Sequence, residues 1–402
     1  MENRYEQYKD SGIAWIGEIP EHWELRKGKN LFKLRNSKGN NNAILLAATQ
    51  KYGMIPQSQV EGVVQVKQNT DLNTFKTVHK NDYVISLRSF QGGFEMSEYE
   101  GVCSPAYQVF YSTKPCCNYF FKYMFKSYGF VSQINAFTLG IREGKNIQYE
   151  DFSLMKLPLP TIQEQQSIAT YLDQKCSEID ELITLQEEMI TKLQSYKQSV
   201  ITEAVTKGLD KNVPLKDSGI AWIGEIPEYW EVIKTKNAFK IISGATPKTD
   251  NMTYWDGEII WITPADYKTE DRIIKSGKRN ITLAGLNSCG TSIVPENSII
   301  FSKRAPIGLV AINVVPLCTN QGCISCIPKS FVSSKYFYYL MSVLTEWFEL
   351  FGSGTTFKEL STNNFANFSL SQPPLSEQQI IADYLDQKCS CLLYTSDAAD
   401  DR

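Results

Sequence analysis

From Ile168 onward the apolar positions recur at Leu172, Ile179, Leu182, Met189, Leu193, Tyr196 and Val200. With Leu172 as a first core position, Ile179, Gln186, Leu193 and Val200 follow at heptad spacing, and Leu182, Met189 and Tyr196 take the second core position. Ile183 and Ile190 widen the stripe. No proline or glycine interrupts Glu164–Lys207, and Gly208 supplies a stop. The pattern predicts one helix of roughly 65 Å at 1.5 Å per residue. Its apolar stripe needs a partner, most simply a second long helix.

Elsewhere the apolar runs are short, strand-like and present in pairs. VISLR (Val84–Arg88) and IFSKR (Ile300–Arg304) each end in arginine, with a glycine four residues later at Gly92 and Gly308. YQVFY (Tyr107–Tyr111) and GCISCI (Gly322–Ile327) follow as further strands, then aromatic helices over Asn118–Ile134 and Lys335–Leu350. Glycine-bearing polar loops come next (Leu139–Asn146, Gly352–Glu359), and each half closes on a proline-flanked strand (Leu154–Pro160, Phe368–Pro374).

The pairing is a duplication. KDSGIAWIGEIPEHWE (Lys9–Glu24) returns as KDSGIAWIGEIPEYWE (Lys216–Glu231), differing only at His22 against Tyr229. EQQSIATYLDQKCS (Glu164–Ser177) returns as EQQIIADYLDQKCS (Glu377–Ser390). Between the tags the two halves diverge strongly, so one fold carries two different surfaces. After Ser390 the second copy loses the heptad pattern. Cys391–Arg402 resembles translated adapter or vector sequence, with a genuine short tail as the alternative. The expected division is a globule over 1–160, a spacer helix over 161–208, a second globule over 209–374, the start of a second spacer helix over 375–390, and a tail over 391–402.

Charge changes the picture only when counted by segment. The whole chain is −3, but Leu25–Lys156 holds 17 basic against 9 acidic residues and Val232–Gln372 holds 14 against 10. Thr161–Val213 holds 5 against 9. Two basic globules flank an acidic helix, the asymmetry expected of a nucleic-acid binder. No run approaches the length of a membrane span, and the polar start has no signal-peptide core, so a cytoplasmic protein is expected. Cys318, Cys323 and Cys326 form the one metal-like spacing, yet they lack a fourth ligand nearby and sit in a run resembling a buried strand. Core cysteines are the expectation and zinc the alternative.

Catalytic chemistry is sparse. Only two histidines occur, His22 and His79, which argues against a histidine-based triad or a histidine-rich metal site. His22 stands where the repeat has tyrosine and is expected to pack rather than catalyse. The loop Leu139–Asn146 has the wrong glycine spacing for a P-loop and lacks the Ser/Thr after its lysine. Asp82 and Asp266 are isolated in sequence.

The repeated tag, the EQQxIAxYLDQK opening of a long helix and the duplication together resemble the specificity subunits of type I restriction–modification enzymes. SGATPK (Ser243–Lys248), YWDGEIIWITPADY (Tyr254–Tyr267) and TNQGCI (Thr319–Ile324) resemble a variant of their recognition domain. The resemblance covers residues 8–390. It implies a mixed α+β fold with two target-recognition domains in pseudo-twofold duplication, joined by long coiled-coil helices. It also implies partners: double-stranded DNA read as two half-sites, two methyltransferase subunits docked on the helices, and motor–nuclease subunits. S-adenosylmethionine, ATP and Mg2+ would belong to those partners, and this chain would be a non-catalytic recognition subunit binding no cofactor or metal. A stand-alone nuclease and a pure protein-interaction scaffold are the competing readings.

For DNA contact, lysine and arginine anchor phosphates while planar or amide side chains reach base edges. Arg88 and Arg304 lead the candidates because they hold the same place in both halves, with Ser89, Gln91 and Lys303 beside them. Arg142 and Lys145 in the first half, and Thr355, Thr356 and Lys358 in the second, form the next set. Thr246, Lys248, Asn320 and Gln321 complete it. The tag tryptophans Trp15, Trp23, Trp222 and Trp230 are expected to anchor each globule to the helices.

Overall fold

The computed structural model describes residues 5–39, 41–60, 71–136, 147–267, 272–304, 306–354 and 358–400. The chain divides into two compact units, residues 1–183 and 184–402, with the division inside the long helix. The ends of that helix thus belong to different globules, where the sequence had set the whole helix apart as a spacer.

The first unit opens on the tag, whose strands Tyr8–Asp10 and Glu18–Pro20 form an antiparallel hairpin. The strand Glu24–Lys27 then pairs with the proline-flanked strand Lys156–Leu159. A four-stranded sheet follows, in the order Phe32–Arg35, Gln108–Ser112, Tyr83–Ile85, Glu95–Met96. The core on its inner face is rich in aromatic rings: Phe32 packs against Tyr83 and Phe110 of the sheet and against Phe121, Phe125 and Phe152 that cover it, with ring centroids 5.1–5.8 Å apart. Edge-on ring packing of this kind fills a core with few residues.

The second unit repeats the plan. Its hairpin joins Leu215–Asp217 to Glu225–Pro227, and Glu231–Lys234 pairs with Ser369–Gln372. The central sheet orders Phe239–Ser243, Cys323–Pro328, Ile299–Ser302, Val310–Asn313 and Ile273–Ile274. A further three-stranded sheet, Arg279–Ile281, Trp255–Ile262 and Cys318–Thr319, belongs to the diverged part.

Strand register tests the proposed correspondence of the halves. Phe32 faces Ser112 and Val84 faces Val109; Phe239 faces Pro328 and Ile300 faces Ser325. Val84 and Ile300 therefore occupy the same lattice point, and Arg88 and Arg304 lie the same number of residues beyond it.

Each expected aromatic helix is two helices: Asn118–Met124 and Tyr128–Ala136 in the first unit, Ser334–Ser342 and Thr345–Leu350 in the second. Hydroxyls at the breaks take the carbonyls that a continuous helix would have used, Ser127 donating to Met124 O at 2.8 Å and Thr345 to Ser342 O at 3.4 Å. Periodicity alone cannot register such a break.

The long helix spans Ile162–Lys207 and stops at Gly208, whose φ is +75°. Its first turns hold a capping box: Thr161 N and Oγ donate to Glu164 Oε2 at 3.0 and 2.7 Å, and Glu164 N donates to Thr161 Oγ at 3.3 Å. Glu164 Oε1 meanwhile takes Trp23 Nε1 at 3.2 Å and lies 2.8 Å from His22 Nε2. The second unit rebuilds the clamp on Glu377, which accepts from Tyr229 Oη at 3.0 Å and Trp230 Nε1 at 3.1 Å. His22 and Tyr229 are thus interchangeable partners of a helix-start glutamate. Gln165 and Gln378 add matching locks, each spanning a proline carbonyl and the backbone N–H of Cys117 or Ser333. Trp23 and Trp230 tie tag to helix as expected. Trp15 instead packs on Phe130, and Trp222 on Trp347, Phe351 and Phe368, so these two anchor the tag to its own globule.

The apolar stripe departs from expectation. Ile179, Leu182, Met189 and Tyr196 are exposed, and Leu172, Leu193 and Val200 only half-buried. The other helix of this kind, Leu375–Asp400, has 26 residues against 46, and its buried Ile381, Ala382, Leu385 and Cys389 pack into the second unit's core. That helix continues past Ser390 through a stretch free of proline and glycine, where the loss of heptads had suggested an end. No helix among the described residues is long and apolar enough to cross a membrane.

Candidate nucleic-acid interface

In the first unit the turn after Val84 is built by serines. Ser86 N donates to Ser89 Oγ at 2.8 Å and Arg88 N to Ser86 Oγ at 3.3 Å, starting the short helix Ser89–Gly92. Arg88 and Gln91 project into solvent, and among the described residues no carboxylate pairs with Arg88. Ser89 is buried and its hydroxyl holds the turn, which corrects its place among the contact candidates: a side chain spent on local backbone is not presented to a ligand. Beneath the turn, Lys126 Nζ sits 2.6 Å from Glu95 Oε1 and 3.3 Å from Gln50 O. Burial pushes the Glu95 carboxyl up, with Lys126 opposing it. Arg142 and Lys145 lie outside the described residues.

In the second unit the nominated residues converge. Gly244 lies so close to Thr319 O and Asn320 O that a Cβ would come within 2.2 Å of both, so the loop 244–248 closes on the loop 319–322 only with glycine there. Ala245 N donates to Thr319 O at 3.0 Å, and Thr246 Oγ donates to Gln321 Oε1. Asn320 accepts from Gly322 N at 2.8 Å, fixing the turn. Lys303 N reaches Gly322 O at 2.8 Å, and Leu360 N reaches Lys303 O at 2.9 Å. Four stretches separated in sequence thereby form one surface carrying Thr246, Lys248, Lys303, Arg304, Gln321 and Lys358. Thr355 and Thr356 lie outside the described residues.

Glu359 went unnoticed in the sequence. It holds Lys303 Nζ at 3.0 Å and Arg304 Nε at 3.0 Å. Burial alone would raise its carboxyl, but the bonds from Lys303 and Arg304 outweigh that and lower it. Arg304 is therefore oriented by a carboxylate while Arg88, the same number of residues beyond its strand, has none among the described residues. The glycines after them serve packing: a Cβ on Gly92 would meet Gln50, and one on Gly308 would meet Thr345 at 2.7 Å.

The isolated carboxylates are structural. Asp82 is buried and grips Arg35 Nε and Nη2 at 2.6 and 2.9 Å, and Asp266 caps Thr263. Cys318, Cys323 and Cys326 are buried in three separate packing clusters, so they do not converge on a metal.

Comparison with known proteins gives a concordant result. The family model for the type I restriction modification DNA specificity domain matches residues 20–194 and again 227–393. A putative type I restriction enzyme MjaX specificity subunit from Methanocaldococcus jannaschii is 28% identical over 91% of this chain and 87% of its own length. The MjaIX specificity subunit of the same organism is 42% identical over 40% of this chain and 38% of its own. Among solved structures, a chain from work on complex assembly and conformational transition of the type I R-M system aligns with a TM-score of 0.71 at 16% identity, covering 95% of this chain and 94% of that one. The HsdS subunit of Thermoanaerobacter tengcongensis aligns at 0.56, also at 16% identity, over 95% and 91%. With two mixed α+β units, each built on the same tag, strand pair and helix clamp, and each matched by that model, the chain belongs to the type I restriction modification DNA specificity domain family.

Proposed function

We propose that this chain is the DNA-reading subunit of a type I restriction–modification complex and performs no chemistry itself. The observation that carries this reading is one scaffold built twice around two different sets of exposed polar loops. A scaffold kept constant while its loops diverge suits a molecule that must hold two readers in the same way and read two different sequences. In the first unit Arg88 and Gln91 supply a free cation and an amide. In the second, Lys248, Gln321 and Lys358 lie beside the Glu359-held pair of Lys303 and Arg304. Arginine and glutamine are the side chains whose geometry matches guanine and adenine edges in the major groove, while lysines suit phosphates.

The exposed stripe of Ile179, Leu182 and Met189 gives the methyltransferase subunits an apolar face to dock on. Those subunits would bring S-adenosylmethionine, and the motor–nuclease subunits ATP and Mg2+, in the cytoplasm. Selection of the purified chain against a randomised duplex library tests the DNA-reading part. The reading expects retained duplexes with two different fixed blocks separated by free sequence, and affinity that falls steeply with salt. Failure to retain any duplex would leave the helix as the only functional surface and turn the reading into that of a scaffold.

A further inference from the structure

We propose that Arg279, a residue outside the loops nominated from sequence, contacts DNA in the second unit from an orientation preset by Trp255. The proposal rests on the reading that this unit binds duplex DNA. Arg279 lies on the strand Arg279–Ile281, directly opposite Trp261 in the antiparallel pairing with Trp255–Ile262. Its guanidinium sits 3.9 Å from the centroid of the Trp255 ring. Trp255 is buried and packs edge-on against Trp261 at 5.1 Å.

Both indoles are also held by the loop 244–248, one of the candidate DNA-contact loops. Trp255 Nε1 donates to Lys248 O at 3.2 Å, and Trp261 Nε1 donates to Ala245 O at 3.0 Å. The tryptophan pair is thus a shelf joining the loop 244–248 to Arg279. Lys278, the preceding residue, is exposed, and its N–H is held by Asp266 Oδ1 at 2.9 Å.

Arg279 itself is exposed, and among the described residues no carboxylate pairs with it, unlike Lys303 and Arg304. A guanidinium whose carbon lies 3.9 Å from the centroid of a buried ring is held in place before any ligand arrives, and that contact leaves its N–H groups unpaired among the described residues. A planar fork of fixed direction fits a bidentate acceptor. On duplex DNA that acceptor is the O6/N7 edge of guanine or a pair of phosphate oxygens.

The experiment uses the full chain and the duplex that it selects from a randomised library, read by fluorescence anisotropy. Arg279→Met keeps an aliphatic cover over Trp255 without the charge, and Arg279→Lys keeps the charge without the fork. Arg279→Met is expected to bind about tenfold more weakly at unchanged melting temperature, with Arg279→Lys recovering part of the loss. Reselection with Arg279→Met then separates the two acceptors. A guanine contact leaves one position of the site degenerate, whereas a phosphate contact leaves the site unchanged and lowers the salt slope by about one. Arg279→Met binding as tightly as the wild type would overturn the assignment and make the side chain a mere cover for the ring. If the wild type selects no duplex, the DNA reading fails first and takes this assignment with it.

Discussion

Cys318, Cys323 and Cys326 lie close in sequence, yet the fold sends them to different places. Burial pushes the thiols of Cys318 and Cys323 up to about 12 and that of Cys326 higher still. Thiolate is the reacting form, so all three are expected to resist alkylation in the folded protein near neutral pH, while exposed Cys176 reacts. Mass mapping after brief iodoacetamide treatment checks this; labelling of Cys323 without denaturant would contradict the packing described. Glu164 makes a second residue-scale prediction. Burial would raise its carboxyl, but bonds from Thr161, His22 and Trp23 outweigh it and bring the group down to about 2. A carboxyl lowered by folding stabilises the fold fully above its unfolded value, about 4.3, and loses that contribution as pH falls through the folded value. Glu164→Gln should therefore lower the melting temperature at neutral pH, and the gap to wild type should close as the pH approaches about 2. A gap that stays constant with pH would show that the carboxylate charge is not what the clamp uses.

The long helix was legible because a helix of this length writes a repeating pattern that no other element can produce, and Gly208 marks its end. Its partner was not legible, because a heptad stripe states that something apolar must cover it without saying whether that something is in the same chain. Leu182 is 61% exposed, so Leu182→Asp should leave the unfolding free energy within about 0.5 kcal/mol of wild type. The same change should abolish co-purification of the methyltransferase subunit; retained co-purification would move the docking face elsewhere. The aromatic core behaves in the opposite way. Phe32 touches five rings and is buried, so Phe32→Ala should cost about 3–5 kcal/mol in a denaturant melt of the first unit. The strands flanking that core were visible as apolar runs. The helix breaks at Ser127 and Thr345 were not, because they depend on hydroxyls returning to local carbonyls. Nor was the grip of Glu359 on Lys303 and Arg304, since their separation in sequence gives no hint of the bridge that closes it.

For the molecule as a whole, the duplication carried the most information. Two near-identical tags and two near-identical helix openings located both clamps, and the family match falls on both halves. The duplicated parts are the scaffold, so the very feature that made the architecture legible is silent on the loops, where the halves share only the register that aligns Arg88 with Arg304. Two scaffolds with different loops should specify two different half-sites, and replacing the diverged part of one unit should change one half of the site and leave the other intact. The most direct test is to co-express the chain with its methyltransferase subunit and map modified adenines across the host genome by single-molecule sequencing. The account predicts methylation at one split motif with two unlike halves at fixed spacing. An active methyltransferase that leaves the DNA unmodified, or that marks a single uninterrupted motif, would contradict it.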